Sequence, residues 1–118
     1  MSCLFNTLCK FVDLNGKQLR ENICSYMRNN PIIIDEIKIE QFVEGHDEFN
    51  NIEEYVDKMK NTSTWGGAIE IKLFCNMYNK SVLVHNTQDN KDIEFLPYGK
   101  YSKNDIIKIN WNGGHYWV

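Results

Sequence analysis

The chain has no apolar run longer than three residues, Ile32-Ile33-Ile34 being one of them. No segment therefore supplies the roughly 20 apolar residues of a membrane-spanning helix. Its first residues, Met1-Ser2-Cys3-Leu4-Phe5, lack the positive n-region and apolar stretch of a secretory signal. Basic clusters are absent, and 13 Lys and Arg against 16 Asp and Glu leave a net charge of −3, which argues against a nucleic-acid backbone as main partner. The four cysteines (Cys3, Cys9, Cys24, Cys75) show neither CxxC nor CxH spacing, so no metal centre is expected. His46, among Glu44, Asp47 and Glu48, reads as part of an exposed acidic loop, and His85 as a structural histidine at a strand end. Cys9, Cys24 and Cys75 read as core thiols. Free thiols without a leader fit a reduced, cytoplasmic setting.

What is present is enough for one domain, residues 1–118, with 42% hydrophobic and 25% charged residues. Abundant Asn, Ile and Lys fit AT-rich codons, as in some large DNA viruses or protists. Leu4, Leu8, Phe11 and Val12 recur at helical spacing, with Ser2 as N-cap and Cys3 in the first turn. A second helix carries Leu19, Ile23, Tyr26 and Met27 and stops at Asn30-Pro31. Residues 35–43 are ambiguous between helix and strand. Ile52, Tyr55, Val56 and Met59 predict an amphipathic helix behind Asn50-Asn51, and Ile69, Leu73, Phe74 and Met77 a buried one. The period then becomes strand-like at Val82–His85, Ile93–Leu96, Ile106–Trp111 and His115–Val118. Helices first and strands last predict an α+β fold with an antiparallel sheet packed between helices.

Asn112-Gly113-Gly114 is a turn signal between the last two strands. A three-residue loop there predicts Trp111 opposite His115 and Ile109 opposite Trp117, with Asn110 on the other face.

Two residue types far apart in sequence carry the chemistry. A thiol in the first turn of a helix feels free N–H groups and the positive end of the helix dipole, which favour thiolate. An imidazole on a terminal strand, His115, can pair with it and protonate a leaving amine. Cys3-Leu4-Phe5, Leu19-Arg20 with Tyr26-Met27, Glu54-Tyr55, the run Thr64-Trp65-Gly66-Gly67-Ala68-Ile69-Glu70-Ile71, and His115-Tyr116 occur in the order found in one family. On these residues the chain resembles the ovarian-tumour (OTU) family of papain-like cysteine proteases, which are deubiquitinases. The likeness covers nearly the whole chain.

The resemblance implies a papain-like OTU fold, with Cys3 as nucleophile and His115 as its catalytic partner. It further implies a thiol-dependent hydrolase that cleaves after the C-terminal Gly-Gly of ubiquitin. Its partners would be ubiquitin, polyubiquitin or a ubiquitin-like modifier, met by a monomer that needs no cofactor. Trp65 would wall the channel for the substrate tail. Gly66, Gly67, Gly113 and Gly114, lacking Cβ atoms, would let that tail approach closely, with Trp111 alongside.

Two positions depart from the family. Where it has Asp or Asn two residues after the histidine, this chain has Trp117, whose indole donates a hydrogen bond but accepts none. Asn112, a main-chain carbonyl or the Val118 carboxylate remain as groups that could orient the ring, with Trp117 holding it by packing. Only Met1 and Ser2 precede Cys3, so the family's Asp upstream of the nucleophile has no counterpart. Were Met1 removed, an α-amino group with a pKa of about 8 would lie near the thiol. These departures leave a second reading, a weak or inactive OTU-like module that binds ubiquitin. A third is a structural α+β interaction domain.

Overall fold

The computed structural model describes residues 3–29, 31–34, 37–39, 41, 51–61, 66–98 and 106–118. Expectations for Ser2, His46 and Trp65, and for most of segments 35–43 and 98–104, lie outside the described residues.

Helix α1 spans Cys3–Leu8 and tightens into a 3-10 turn over Cys9–Phe11. Leu4, Phe5 and Leu8 are buried, each burial contributing about 1.5–3 kcal/mol. Helix α2, Gly16–Arg28, begins with a capping box in which Asn15 and Gln18 exchange side-chain-to-backbone hydrogen bonds of 2.8 and 3.0 Å. Its buried stripe is Leu19, Ile23, Cys24 and Met27. Strands β1 (Ile32–Ile34) and β2 (Ile37–Lys38) pair antiparallel as a small separate sheet. Helix α3, Ile52–Met59, starts where the Asn51 side chain accepts the Glu54 N–H at 3.0 Å, and it buries Ile52, Tyr55, Val56 and Met59. Helix α4, Ala68–Tyr78, is the central one, with Ile71, Leu73, Phe74 and Cys75 buried, and Asn79 ends it in the left-handed conformation (φ 53°).

Strands β3 (Ser81–Asn86), β4 (Lys91–Phe95), β5 (Ile106–Trp111) and β6 (Tyr116–Trp117) form one sheet in the order β4-β3-β5-β6. The α+β class is as expected, but the sheet is mixed rather than antiparallel, because β3 and β5 run parallel. The reason is topological. β4 folds back along the outer edge of β3 and ends beside Val82, and β5 begins beside Ser81, at that same end of the sheet. A chain that crosses from one edge of β3 to the other at one end must run parallel to it.

Val82, Val84, Ile107 and Ile109 are buried on the face that meets α4. The other face carries Asp92, Glu94, Ile106 and Lys108, all exposed. Among the described residues the helices thus cover one face and the β6 edge, rather than sandwiching the sheet. No helix of the described residues is long and apolar enough to cross a membrane.

The last hairpin corrects a second expectation. Trp111 lies opposite Tyr116 and Asn110 opposite Trp117, not Trp111 opposite His115 and Ile109 opposite Trp117. The turn closes tightly: the Asn112 N–H donates to the His115 carbonyl, and the Asn112 Oδ1 accepts the N–H groups of Gly114 (3.0 Å) and His115 (2.8 Å). Gly113, at φ 95°, supplies the left-handed conformation the turn needs. A one-residue slip exchanges faces, so Asn110 sits on the same face as Trp117 and His115.

Candidate active site

Cys3, Asn6, Thr7 and Lys10 follow one another at helical spacing along one side of α1 and its 3-10 extension. With His115, Tyr116 and Trp117 they line a cleft of about 400 Å³. The fold therefore places the first-turn thiol and the imidazole of His115, which sits just before β6 rather than in it as expected, in a single cleft. Cys3 is half-buried and His115 exposed. A hydrogen bond from the Thr7 hydroxyl to the Tyr116 carbonyl (3.2 Å) pins α1 to β6. The opposite side of α1 is buried, so the helix cannot roll without exposing Leu4, Phe5 and Leu8.

The imidazole of His115 stacks on the Trp117 indole, with centroids 5.9 Å apart and planes 13° apart. Asn112 holds the backbone of His115 and not its ring. Among the described residues no carboxylate side chain is hydrogen-bonded to that ring.

A second cleft, of about 310 Å³, adjoins the first across Tyr116. Gly66, Gly67, Trp111 and Gly113 line it together with Ala68, Ile71, Val84, Ile93, Phe95 and Tyr116. Four of the six residues expected along a substrate tail thus meet in one apolar trough. Gly114 is not in its lining, and Trp65 lies outside the described residues. Trp111 stacks on Tyr116 (6.0 Å, 24°), forming the wall between the clefts. Sequence reasoning missed Tyr116, Ile93 and Phe95, and also Asn6, Thr7 and Lys10. The helical period counted from Cys3 would have found the last three.

Behind Cys3 lies a buried polar tie. A Cβ on Gly66 would come within 2.7 Å of Leu4 Cδ2, so the 66–67 loop packs directly on the back of α1. The Gly67 N–H donates to Glu70 Oε1 (2.7 Å), and the Tyr55 hydroxyl donates to Glu70 Oε2 (2.6 Å). Burial raises the Glu70 carboxyl above its ordinary value, although hydrogen bonds from Tyr55 and Gly67 and the nearby Arg20 oppose the shift. Burial likewise raises the Tyr55 and Tyr116 phenols. The Arg20 guanidinium lies 4.2 Å from the Phe5 ring centroid and donates to the carbonyls of Met59 (2.7 Å) and Asn61 (3.1 Å). Burial lowers its pKa.

The family described as OTU-like cysteine protease matches residues 2–116. A mouse protein, ubiquitin thioesterase OTU1, is 26% identical over 121 residues, an alignment covering 98% of this chain. The chain spans 32% of that relative's length. Among solved structures, an OTU domain in complex with ubiquitin superposes with a TM-score of 0.72 at 24% identity, covering 98% of this chain and 61% of that one. An OTU deubiquitinase from Wolbachia pipientis wMel, bound to ubiquitin, gives 0.63 at 19%, covering 98% and 86%. At these identities the structural likeness speaks for the fold, and the match over residues 2–116 for descent: the chain belongs to the family of OTU-like cysteine proteases.

Proposed function

We propose that this chain is a cysteine-type deubiquitinase that cleaves after the C-terminal Gly-Gly of ubiquitin or a ubiquitin-like modifier. The observation that carries the reading is the single cleft lined by Cys3 and His115. The adjoining trough at Gly66, Gly67 and Gly113 supports a narrow peptide tail as its occupant. Membership of the family, and the fold shared with OTU domains solved with ubiquitin bound, support the substrate.

In this mechanism the Cys3 thiolate attacks the carbonyl carbon of the terminal glycine, forming a C–S bond and a tetrahedral oxyanion. Backbone N–H groups around Cys3 stabilise that charge. The His115 imidazolium gives its proton to the leaving amine as the C–N bond breaks, leaving a thioester on Cys3. His115 then takes a proton from water as the water oxygen attacks the thioester; the C–S bond breaks, regenerating the Cys3 thiolate, and the released acid gives its proton to solvent to leave the carboxylate. A ubiquitin-tail warhead tests the reading: a covalent adduct on the wild-type chain that Cys3→Ala abolishes is expected. No adduct, or an adduct that survives Cys3→Ala, ends it.

One observation favours the second reading, an OTU-like module that binds ubiquitin without cleaving it. Trp117 occupies the position where the resemblance expects a hydrogen-bond acceptor, and its ring only stacks on His115. Binding of ubiquitin with no adduct would select that reading. Thiolate is already nucleophilic, so a Cys-His pair tolerates a weakly held imidazole better than Ser-His does, which favours activity.

A further inference from the structure

We propose that Asn110 is the positioning residue for His115, accepting the imidazole N–H in place of the group that Trp117 has displaced. The inference rests on the proposed Cys3–His115 chemistry and adds the identity of its third member.

The argument begins with the register. Asn110 is the direct cross-strand partner of Trp117, and Trp117 stacks on His115, so all three side chains share one face. Asn110 and His115, which immediately precedes β6, then stand diagonally across the hairpin, a relation that in a regular ladder sets Cβ atoms about 7 Å apart. An asparagine carbonyl and a ring nitrogen can close that gap with a hydrogen bond of about 2.8 Å.

The other polar side chains beside this face are committed or chemically unsuited. The Asn112 Oδ1 already accepts two backbone N–H groups, and the Trp117 indole has no acceptor. His85, the neighbour of Asn110 on β3, is drawn the opposite way, its Nδ1 lying 2.7 Å from the Asp92 Oδ1 on β4. Asn110 therefore offers that face of the hairpin an uncommitted side-chain acceptor, its amide having no hydrogen bond among the described residues. It also stands on a firm base, because β5 is an interior strand paired on both sides. In the structure Asn110 and His115 are not yet bonded; such contacts commonly tighten only when substrate arrives.

Two measurements on Asn110→Ala and Asn110→Asp test this. The first is turnover of a ubiquitin substrate with a fluorogenic C-terminal leaving group. Asn110→Ala should lower kcat at least about tenfold with KM within about twofold, and Asn110→Asp, which keeps the acceptor, should recover most of kcat. The second is the 15N spectrum of the His115 ring in the presence of a ubiquitin-tail aldehyde. One neutral tautomer should dominate in the wild type and in Asn110→Asp, and Asn110→Ala should relax toward a mixture. A kcat for Asn110→Ala within twofold of wild type, or a tautomer ratio that Asn110→Ala leaves unmoved, overturns the proposal. A loss of kcat that Asn110→Asp fails to recover overturns it too. If the wild type binds ubiquitin but never turns it over, the proposed activity falls, while the ring spectrum still decides whether Asn110 holds the imidazole.

Discussion

The indole of Trp117 lies nearly parallel to the imidazole of His115, 5.9 Å away between centroids. An aromatic face beside an imidazolium is worth about 0.5–2 kcal/mol, or roughly 2–30-fold in rate if that contact is lost in the transition state. Trp117→Ala should lower kcat within that range while the fold persists, because Trp117 is only half-buried. Trp117→Asn, which places an acceptor two residues after the histidine, should keep turnover at or above the wild-type level. Steady-state kinetics on a ubiquitin substrate measure both, and an unchanged kcat in Trp117→Ala would refute the role of the stack.

Asn112 acts one step earlier, on the backbone that aims His115. Its Oδ1 holds the N–H groups of Gly114 and His115 together. Asn112→Ala should cost about 1–2 kcal/mol, as loss of a capping side chain does, and should lower kcat by loosening the turn. Asn112→Asp retains the acceptor and should retain both. Urea unfolding alongside kinetics is the measurement, and the idea fails if Asn112→Ala matches wild type in stability.

The four cysteines should separate cleanly by reactivity. Burial pushes the Cys24 thiol up to about 11 and the Cys75 thiol up to about 12, whereas Cys3 and Cys9 are half-exposed. Iodoacetamide at pH 7.5 should modify Cys3 and leave Cys24 and Cys75 unlabelled until the chain is unfolded. Peptide mass spectrometry reads this directly. Rapid native labelling of Cys75 would contradict its place in the core.

Much of this was legible in the residues. Stripes such as Leu19, Ile23, Met27 and Ile52, Tyr55, Val56, Met59 gave the helices, because a period of 3.6 survives in sequence wherever one face is buried. Asn15 and Asn51 behave as their short acceptor side chains dictate. The mixed sheet was hidden, because nothing in β3 or β5 marks direction; direction follows from the edge on which β4 happens to pair. Loop length at Asn112-Gly113-Gly114 was equally hidden. An asparagine side chain can stand in for a backbone carbonyl and shorten the turn by one residue, and that single step carried Asn110 from one face to the other. The cleft was legible as two motifs at opposite ends of the chain, and Asn6, Thr7 and Lys10 follow from the helical period, but its lining by Tyr116 needed the packing of α1 on β6.

Gly66 predicts a coupling between the loop before α4 and the nucleophile. A methyl at Gly66 would meet Leu4 Cδ2 at 2.7 Å and Phe5 Cε2 at 3.0 Å, and both side chains are fully buried with little room to retreat. Gly66→Ala should therefore cost about 1–3 kcal/mol of stability, as overpacking does, and should displace α1 and with it Cys3. The slower alkylation of Cys3 in a variant still folded by circular dichroism would show the displacement. Unchanged stability and unchanged Cys3 labelling would refute it.

Glu70 predicts how stability changes with pH. Its carboxyl is fully buried and titrates above its ordinary value of 4.5, chiefly because burial penalises the charge. Between that ordinary value and the raised one, the folded chain binds more protons at this site than the unfolded chain does. Stability contributed by the group therefore falls as pH rises through that window and levels off above it. Glu70→Gln removes the titration and keeps an oxygen for the Gly67 N–H, while the Tyr55 hydroxyl can turn to accept from the new amide. The difference in unfolding free energy, wild type minus Glu70→Gln, should decline from pH 4.5 upward and then become flat. Parallel curves from pH 4 to 8 would mean that Glu70 titrates alike in both states, so that the hydrogen bonds from Tyr55 and Gly67 and the neighbouring Arg20 offset the cost of burial in full.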